Sequence, residues 1–338
     1  MASLRKIGIL AACIGFAATM ALVALYLDVR QFARQPADGS AAPLTFEVKS
    51  GQGLRRISQR LADAGIVRDP AKFALLARLE GHTTAIQAGE YRLSAAMTPA
   101  DILRDMVNGR VRLHRLTIPE GYTMRQIAAT VAAAGYSTPA AFLDACRDSA
   151  LLRSLDIAGD SCEGYLFPDT YYFPASATTF QIITAMAHRF WDSFPDAWRA
   201  RAAALGMSVH EVVTLAAIIE KETGAPFERP LISSVFHNRL HRRIRLQTDP
   251  TVIYGITDFD GNLTRKHLKT PTPYNTYLIQ GLPPGPIACP GAAALEAALY
   301  PADTDYLYFV SKQDRTHHFS VTIDEHNRAV ARYQLHRR

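Results

Sequence analysis

Two glutamates at the end of one predicted helix are the residues of this sequence best placed for acid–base chemistry. Ser208-Val-His-Glu211 has the spacing of a capping box and predicts the start of a helix, and Thr223-Gly-Ala-Pro226 predicts its end. At about 100° per residue, Glu222 lies about 20° from Leu215 on the apolar face of this helix. Glu220 lies about 140° from Leu215. The pattern therefore turns Glu222, and not Glu220, toward the core.

Burial beside apolar side chains and the negative end of a helix dipole both raise the pKa of a carboxyl group. We therefore expect Glu222 to stay protonated near neutral pH. A general acid that protonates the leaving oxygen of a glycosidic bond needs this property. The alternative is a structural helix-end acid paired with Arg229, Arg239 or Lys221. Glu220 is the fallback for the catalytic role.

The second half of the chain is rich in tyrosine, asparagine, aspartate and glutamine near Pro-Gly turns. Tyrosine rings cover the apolar faces of sugars, while amides and carboxylates bind their hydroxyls. Tyrosine clusters also serve as ordinary core and turn residues, so the pattern alone leaves both roles open. The candidate substrate-binding residues are Asp169, Tyr171, Gln247, Asp249, Tyr274, Asn275 and Tyr277.

An internal repeat precedes this region. Residues 46–65 align with residues 117–135, and Pro70-Ala-Lys-Phe73 aligns with Pro139-Ala-Ala-Phe142. Each copy predicts a short strand, a glycine turn, a helix that ends at a glycine, and a second helix that begins near the proline. Residues 89–93 supply a closing strand in the first copy. This strand–helix–helix–strand order resembles LysM carbohydrate-binding modules, and two copies are too few for a solenoid.

The N-terminus contains a long uncharged segment. Ile7 to Leu27 follows Arg5 and Lys6, and as a helix it is about 30 Å long, enough to cross a bilayer. A cleavable signal peptide is the alternative, but its apolar core is shorter and ends in small residues. The bulky end of this segment favours an uncleaved anchor. The short N-terminal flank favours a cytoplasmic tail and export of everything that follows.

The composition excludes several classes of protein. With 338 residues, 48% of them hydrophobic and 20% charged, the chain is not mainly disordered, collagen-like or coiled-coil. The net charge of +6 suits nucleic acid, an anionic membrane or an acidic polymer, but the basic residues are dispersed. Four cysteines without a CxxC motif argue against a zinc site. Cys146 and Cys162 either form a disulfide, which an exported chain permits, or pack in the core.

Several ordered motifs from Phe46 to the C-terminus resemble the YceG-like family of endolytic murein (peptidoglycan) transglycosylases. The matching stretches are residues 163–171, 219–223, 234–240, 246–255, 274–277, 281–285, 306–310 and 325–327. The resemblance implies cleavage of peptidoglycan between MurNAc and GlcNAc without water, which leaves a 1,6-anhydro end. It assigns the catalytic role to Glu222, as general acid and then base, and lines the cleft with Gln247, Asp249, Tyr274, Asn275 and Tyr277.

The resemblance also implies partners and a location. It implies peptidoglycan glycan strands as substrate, no metal, no cofactor and no nucleic acid. It implies a single-pass protein of the bacterial inner membrane with its catalytic domain in the periplasm, and it leaves contacts with cell-wall synthases or elongation and division proteins open. Two other functions remain open. A lysozyme-type hydrolase would use Asp249 as a second carboxylate, and a non-catalytic peptidoglycan-binding scaffold would not need Glu222.

Together these patterns predict an α+β protein built from several segments. The catalytic segment is expected to carry a lysozyme-like catalytic helix. The predicted segments are a cytoplasmic tail (1–6), a transmembrane anchor (7–27), a linker (28–43), a LysM-like unit (44–110), a second related α+β unit (111–153) and a catalytic transglycosylase domain (154–338).

Overall fold

The computed structural model describes residues 2–335, so the first residue of the predicted tail and the last three of the predicted catalytic domain lie outside it. The described chain is a mixed α+β protein with small two-stranded sheets. Its contacts divide it into two compact units. Unit 1 comprises Met1–His114 and Tyr172–Ser176, and unit 2 comprises Arg115–Tyr171 and Ala177–Arg338.

Unit 1 contains a long N-terminal helix followed by a strand–helix–helix–strand arrangement and one more helix. Its elements are α1 (Ala2–Phe32), β1 (Leu44–Val48), α2 (Leu54–Asp63), α3 (Pro70–Leu79), β2 (Gly89–Leu93) and α4 (Pro99–Val107). Strands β1 and β2 are antiparallel, with Leu44 opposite Leu93 and Val48 opposite Gly89. The closing strand predicted at residues 89–93 is therefore present.

Local sequence explains the two helices between these strands. Leu54, Ile57 and Leu61 form one buried face of α2, as their i, i+3, i+7 spacing predicts. Gly65 follows α2 with a φ of 70°, a conformation that glycine adopts without steric cost. The side chain of Asp69 then accepts hydrogen bonds from the first backbone N–H groups of α3 and caps that helix.

The end of α1 packs into the core of unit 1. Val29 and Ala33 lie one helical turn apart and are both buried in that core. Asp28 forms an ion pair with Lys72 at 2.7 Å, and Arg30 pairs with Glu80 at 3.7 Å. Asp38, farther along the segment predicted as a linker, donates its backbone N–H to the carbonyl of Ala95 at 2.9 Å. Residues 28–38 are thus attached to unit 1.

Unit 2 is mainly helical. Strands β3 (Leu113–Thr117) and β4 (Thr170–Pro174) pair with each other. The remaining elements are α5 (Met124–Ala133), α6 (Pro139–Ala145), α7 (Ser149–Ser154), α8 (Thr179–Asp192), α9 (Asp196–Ala204), α10 (Val209–Glu222), α11 (Arg229–His241), α12 (Asp249–Tyr254), α13 (Arg265–Lys269), α14 (Ala292–Leu299), β5 (Tyr308–Ser311), β6 (His317–Ser320) and α15 (Ile323–Val330).

Helix α10 is the central helix of unit 2. The predicted capping box is present, because Ser208 and Glu211 each bind the other's backbone N–H through their side chains. Every residue from Val212 to Ile219 is buried, and α10 packs against α11 and α14. A helix that is apolar on all sides is stable only when surrounded by protein, so the position of its last residue is fixed by the core.

The end of α10 differs in one detail from the sequence prediction. Gly224 does not adopt the left-handed conformation of a typical helix cap, and Thr223 ends the helix in an extended conformation. A Cβ atom at position 224 would lie 2.5 Å from the carbonyl oxygen of Arg315. Glycine is therefore required because the chain before β6 approaches the end of α10 closely.

Three cysteines of unit 2, Cys146, Cys162 and Cys289, are buried free thiols. The Cys146 thiol is hydrogen-bonded to the Cys162 thiol, and this bond and burial raise the pKa of Cys146. Of the two alternatives left open by the sequence, the structure contains the packed core pair and not the disulfide.

A buried carboxyl group, Glu163, connects several parts of this core. It accepts hydrogen bonds from the backbone N–H of Met124 at 2.9 Å and from the hydroxyl of Tyr254 at 3.0 Å. Burial raises its pKa to about 7, against an ordinary value of 4.5. Because the folded protein binds the proton more tightly than the unfolded chain does, Glu163 favours folding most at low pH.

We predict that Glu163 makes the protein less stable as pH rises from about 4.5 to about 7. Full ionisation would lower the free energy of unfolding by on the order of 3 kcal/mol, at about 1.4 kcal/mol per pKa unit. Glu163→Gln keeps an acceptor for Met124 but does not titrate, so its melting temperature should fall less over this pH range than that of the wild type. Thermal melting at pH 5 and pH 7.5 measures both, and equal falls would contradict the prediction.

Candidate functional site

Unit 2 contains a cavity of about 510 Å³ at the C-terminal end of α10. Four of the candidate residues line it: Glu222, Gln247, Asp249 and Tyr277. Its other polar lining residues include Arg239, Thr248, Tyr308, Ser311, His317 and His326. The cavity combines one helix-end acid with the polar and aromatic groups that bind sugars.

Glu222 is the last residue of α10, so the buried helix fixes its backbone while its carboxyl group reaches the cavity. Burial is the largest cause that raises the pKa of Glu222. The negative charge of Asp249 raises it further, whereas a hydrogen bond from Thr248 and the neighbouring His317 lower it. Burial dominates, so the carboxyl group keeps its proton to a higher pH than an exposed glutamate.

The hydroxyl of Thr248 donates a hydrogen bond to Oε1 of Glu222 and orients the carboxyl group. Thr248 is itself held by Thr276, whose hydroxyl accepts the backbone N–H of Thr248 at 3.0 Å. The preceding residue, Gln247, has a φ of 51°, an uncommon value for a residue other than glycine. This strained turn brings residues 247–249 to the edge of the cavity.

Asp249 and Tyr277 form a second polar pair in the cavity wall. The Tyr277 hydroxyl donates a hydrogen bond to Oδ1 of Asp249 at 2.7 Å. Burial raises the pKa of Tyr277, so this hydroxyl stays protonated and remains a donor. The pair places the Asp249 carboxylate in the same cavity as Glu222, and the negative charge of Asp249 raises the pKa of Glu222.

Glu220 is surrounded differently from Glu222. Its side chain is only 9% exposed, and its Oε1 pairs with Nη2 of Arg229 at 3.3 Å. Its Oε2 accepts the backbone N–H of Gly291 at 3.2 Å. Glu220 lies outside the residues that line the cavity. A paired and hydrogen-bonded carboxylate of this kind holds elements of the fold together.

Arg229 therefore pairs with Glu220, and at 3.7 Å with Glu120, rather than with Glu222. Among the described residues, no ion pair involves Glu222. The structural alternative considered for a helix-end acid applies to Glu220.

Two predicted cleft residues lie outside the cavity lining. Asn275 is completely buried. Its amide group donates to the carbonyls of His267, Leu268 and Thr270, the last at 2.8 Å. These bonds secure the loop that positions Tyr277. The side-chain oxygen of Asn275 also accepts a hydrogen bond from the backbone N–H of Tyr277. The Tyr274 ring packs on Tyr254, with centroids 4.8 Å apart.

Asp169 and Tyr171 also lie outside the cavity lining. Asp169 pairs with Arg189 at 2.7 Å, and this hydrogen bond is the main cause that lowers its pKa. The Tyr171 hydroxyl donates to the carbonyl oxygen of Phe167. Both side chains stabilise the turn that leads into β4.

The cavity residues that were not predicted as site residues include Arg239, Tyr308, His317 and His326. The Cζ atom of Arg239 lies 5.1 Å from the centroid of the Tyr308 ring. Nδ1 of His317 lies 2.8 Å from Oε2 of Glu228. Arg239, Tyr308 and His326 lie within the motifs that carry the family resemblance, so those motifs could have indicated them. His317 lies outside the motifs, and no sequence signal indicated it.

A second cavity, of about 640 Å³, is lined by Gly281, Leu282, Pro283 and Pro284 together with His210 and His237. It is larger, but none of the predicted site residues line it. Within the part of the chain that the structure describes, no cluster of three or more histidine, cysteine, aspartate or glutamate side chains could hold a metal ion.

Comparisons with known proteins agree with this architecture. A model of the YceG-like family matches residues 46–332. A Bacillus subtilis protein named endolytic murein transglycosylase is 31% identical over 87% of this chain and 86% of its own length. Proteins of the same name from two strains of Streptococcus pneumoniae are 30% identical over 86% of this chain and 58% of their own length.

A solved structure also resembles this chain. The crystal structure of a YceG-like protein from Listeria monocytogenes is 36% identical and superposes with a TM-score of 0.59, over 86% of this chain and 99% of that one. The likeness thus extends over unit 1 as well as the unit that contains the cavity.

Proposed function

The chain belongs to the YceG-like family, and from this membership we propose that it is a peptidoglycan lytic transglycosylase. It cleaves the bond between MurNAc and GlcNAc inside glycan strands without water and leaves a 1,6-anhydro-MurNAc end. The names of the curated relatives support the activity. The observation that carries the proposal is one acid, Glu222, whose pKa is raised by burial in a cavity lined by sugar-binding residue types.

Protonated Glu222 is the general acid. As the glycosidic bond breaks, its carboxyl group gives its proton to the leaving oxygen of GlcNAc, and an oxocarbenium-like centre forms at C1 of MurNAc. Burial supports this step because it raises the pKa of Glu222, so the acid keeps its proton to a higher pH than an exposed glutamate. Thr248 holds the carboxyl group in one orientation through Oε1.

The nucleophile is the C6 hydroxyl of the same MurNAc. Its oxygen attacks C1 and closes the anhydro ring, while its proton returns to the glutamate carboxylate. Since the nucleophile is part of the substrate, the enzyme does not need to position water, and the intramolecular reaction supplies the advantage of proximity. Gln247, Asp249 and Tyr277 are well suited to bind sugar hydroxyls and ring faces around this centre.

A lysozyme-type hydrolase is the second candidate, because Asp249 provides another carboxylate in the same cavity. Asp249 accepts the Tyr277 hydroxyl, which occupies one of its oxygens. This bond and the family membership favour the lytic reaction.

Unit 1 is proposed to bind glycan as a LysM-like module. In support, β1, α2, α3 and β2 follow one another in the order of such modules, and their two strands pair antiparallel. Binding there would keep the enzyme on a strand between cleavage events and raise the local concentration of substrate.

The N-terminal helix is proposed to anchor the protein in the bacterial inner membrane, with both units in the periplasm. Within α1, Ala12–Phe32 has a mean hydropathy of 1.9 and is long enough to cross a bilayer. A signal sequence passes the same test. Because Val29 and Ala33 belong to the core of unit 1, an uncleaved helix would hold this unit directly at the membrane surface.

For Glu222 we predict that Glu222→Gln lowers the rate of glycan cleavage by at least about 100-fold, the smaller effect expected when a general acid is lost. The amide keeps the size and the hydrogen bond from Thr248 but cannot give up a proton and take it back. Release of anhydro products from purified glycan strands measures the rate, and thermal melting checks that the variant is folded.

Glu220→Gln is the matched control on the same turn. It weakens the pair with Arg229, so we expect a lower melting temperature and cleavage within about 10-fold of the wild type. A folded Glu222→Gln variant with normal cleavage, or complete loss of cleavage in a folded Glu220→Gln variant alone, would show that the wrong glutamate has been chosen.

For the anchor we predict that N-terminal sequencing of the protein purified from membranes finds residues before Ile7, and that alkaline carbonate leaves the protein in the membrane. The predicted segment from Ile7 to Leu27 then acts as an uncleaved span. A mature protein that begins after Leu27 would identify the segment as a signal sequence instead.

A further inference from the structure

His317 is a titratable side chain of the cavity that the mechanism above does not use. It lies at the start of β6 and lines the same cavity as Glu222. It also lines a second opening of about 480 Å³ together with Glu222, Lys221 and Arg315. Glu222 and His317 thus line both openings together.

Glu228 fixes the orientation of this imidazole. Its Oε1 accepts the backbone N–H of His317 at 2.9 Å, and its Oε2 lies 2.8 Å from Nδ1 of the same residue. Glu228 is only 3% exposed and sits at the N-terminal end of α11, where the helix dipole favours a negative charge. A carboxylate can only accept, so Nδ1 carries the hydrogen and Nε2 of the neutral ring has a free lone pair.

The remaining nitrogen is available to a ligand. Among the described residues, no hydrogen bond to Nε2 of His317 is formed, and this atom is not enclosed as a buried unsatisfied group. The rings of Phe309 and Phe319 contact the imidazole at centroid distances of 5.3 and 6.3 Å and keep it from rotating. This is the arrangement of a carboxylate–histidine pair whose outer nitrogen acts as a base.

We propose that His317 relays the proton of the MurNAc C6 hydroxyl to Glu222. Glu222 first gives its proton to the leaving oxygen as the C1–O bond breaks. As the C6 oxygen bonds to C1, its proton passes to Nε2 of His317 and makes an imidazolium ion paired with Glu228. The imidazolium then returns one proton to the Glu222 carboxylate across the cavity, so that both groups regain their starting states and no proton is gained or lost.

The relay rests on the proposed function and refines its second half. Glu222 still ends the cycle as the proton acceptor, but it need not contact the leaving oxygen and the C6 hydroxyl in turn. The imidazole supplies a separate acceptor, held by its own partner. The other titratable and charged groups that face this cavity or its second opening are Asp249, Tyr277, Tyr308, Arg239, His326, Lys221 and Arg315.

His317→Gln tests the relay, with His318→Gln as the matched control. The next residue along β6, His318, lies on the opposite face of the strand and contacts Tyr333 at a ring distance of 5.8 Å. We expect kcat for anhydro-product release to fall about 100-fold in His317→Gln with little change in KM, and we expect no change in His318→Gln.

Chemical rescue separates a relay from a structural role. Imidazole in the buffer should restore part of the activity of His317→Ala, because it supplies a proton acceptor that the variant lacks. Glu228→Gln, whose amide can donate to Nδ1 and leave the hydrogen on Nε2, should lose activity as His317→Gln does.

Thermal melting of each variant accompanies these assays. Folded His317→Gln with wild-type kcat would overturn the relay while Glu222 remains the acid. If His317→Gln does not fold, Glu228→Gln decides, and a wild-type kcat in that variant would overturn the relay equally. A wild-type enzyme that releases no anhydro product would instead overturn the proposed function.

Discussion

The site in unit 2 depends on one constraint. The carboxyl group of Glu222 has to keep its proton to a higher pH than an exposed glutamate does, beside a cavity open to ligands. Burial supplies it: the buried helix α10 fixes Glu222 at its last turn, and desolvation raises the pKa of the side chain. Asp249 adds to the shift, and Thr248 opposes it in part while fixing the orientation of the group. The loop that carries Thr248 and Asp249 therefore acts on both the orientation and the pKa of Glu222.

The two glutamates of this turn show how environment assigns roles to identical side chains. Glu220 is paired with Arg229 and bound to the backbone of Gly291, so its charge is satisfied by the protein. Glu222 accepts a threonine hydroxyl and has no cation pair among the described residues, which is why it is the glutamate that we propose as the general acid. An acid that is buried but not paired is costly to the fold, which is typical of functional sites.

Local patterns predicted much of the fold and part of the site. The capping box at Ser208 and the apolar face of α10 are short-range features, so the end of the helix could be predicted. The amide of Asn275 was expected in the cleft but binds loop carbonyls instead, because one residue type serves both purposes. The contact between His317 and Glu228 joins residues 89 positions apart, and only tertiary packing creates it.

The identity of the product is the most direct test of the single-acid mechanism, because one protonated acid with an intramolecular nucleophile excludes water from the new bond. Purified glycan strands digested by the wild-type protein in water enriched in oxygen-18 would be examined by mass spectrometry. If Glu222 acts with the C6 hydroxyl as nucleophile, the products are 1,6-anhydro-MurNAc ends that contain no oxygen-18. Reducing MurNAc ends labelled at C1 by one oxygen-18, before any slow exchange of free reducing ends, would contradict it and identify a hydrolase that uses a second carboxylate.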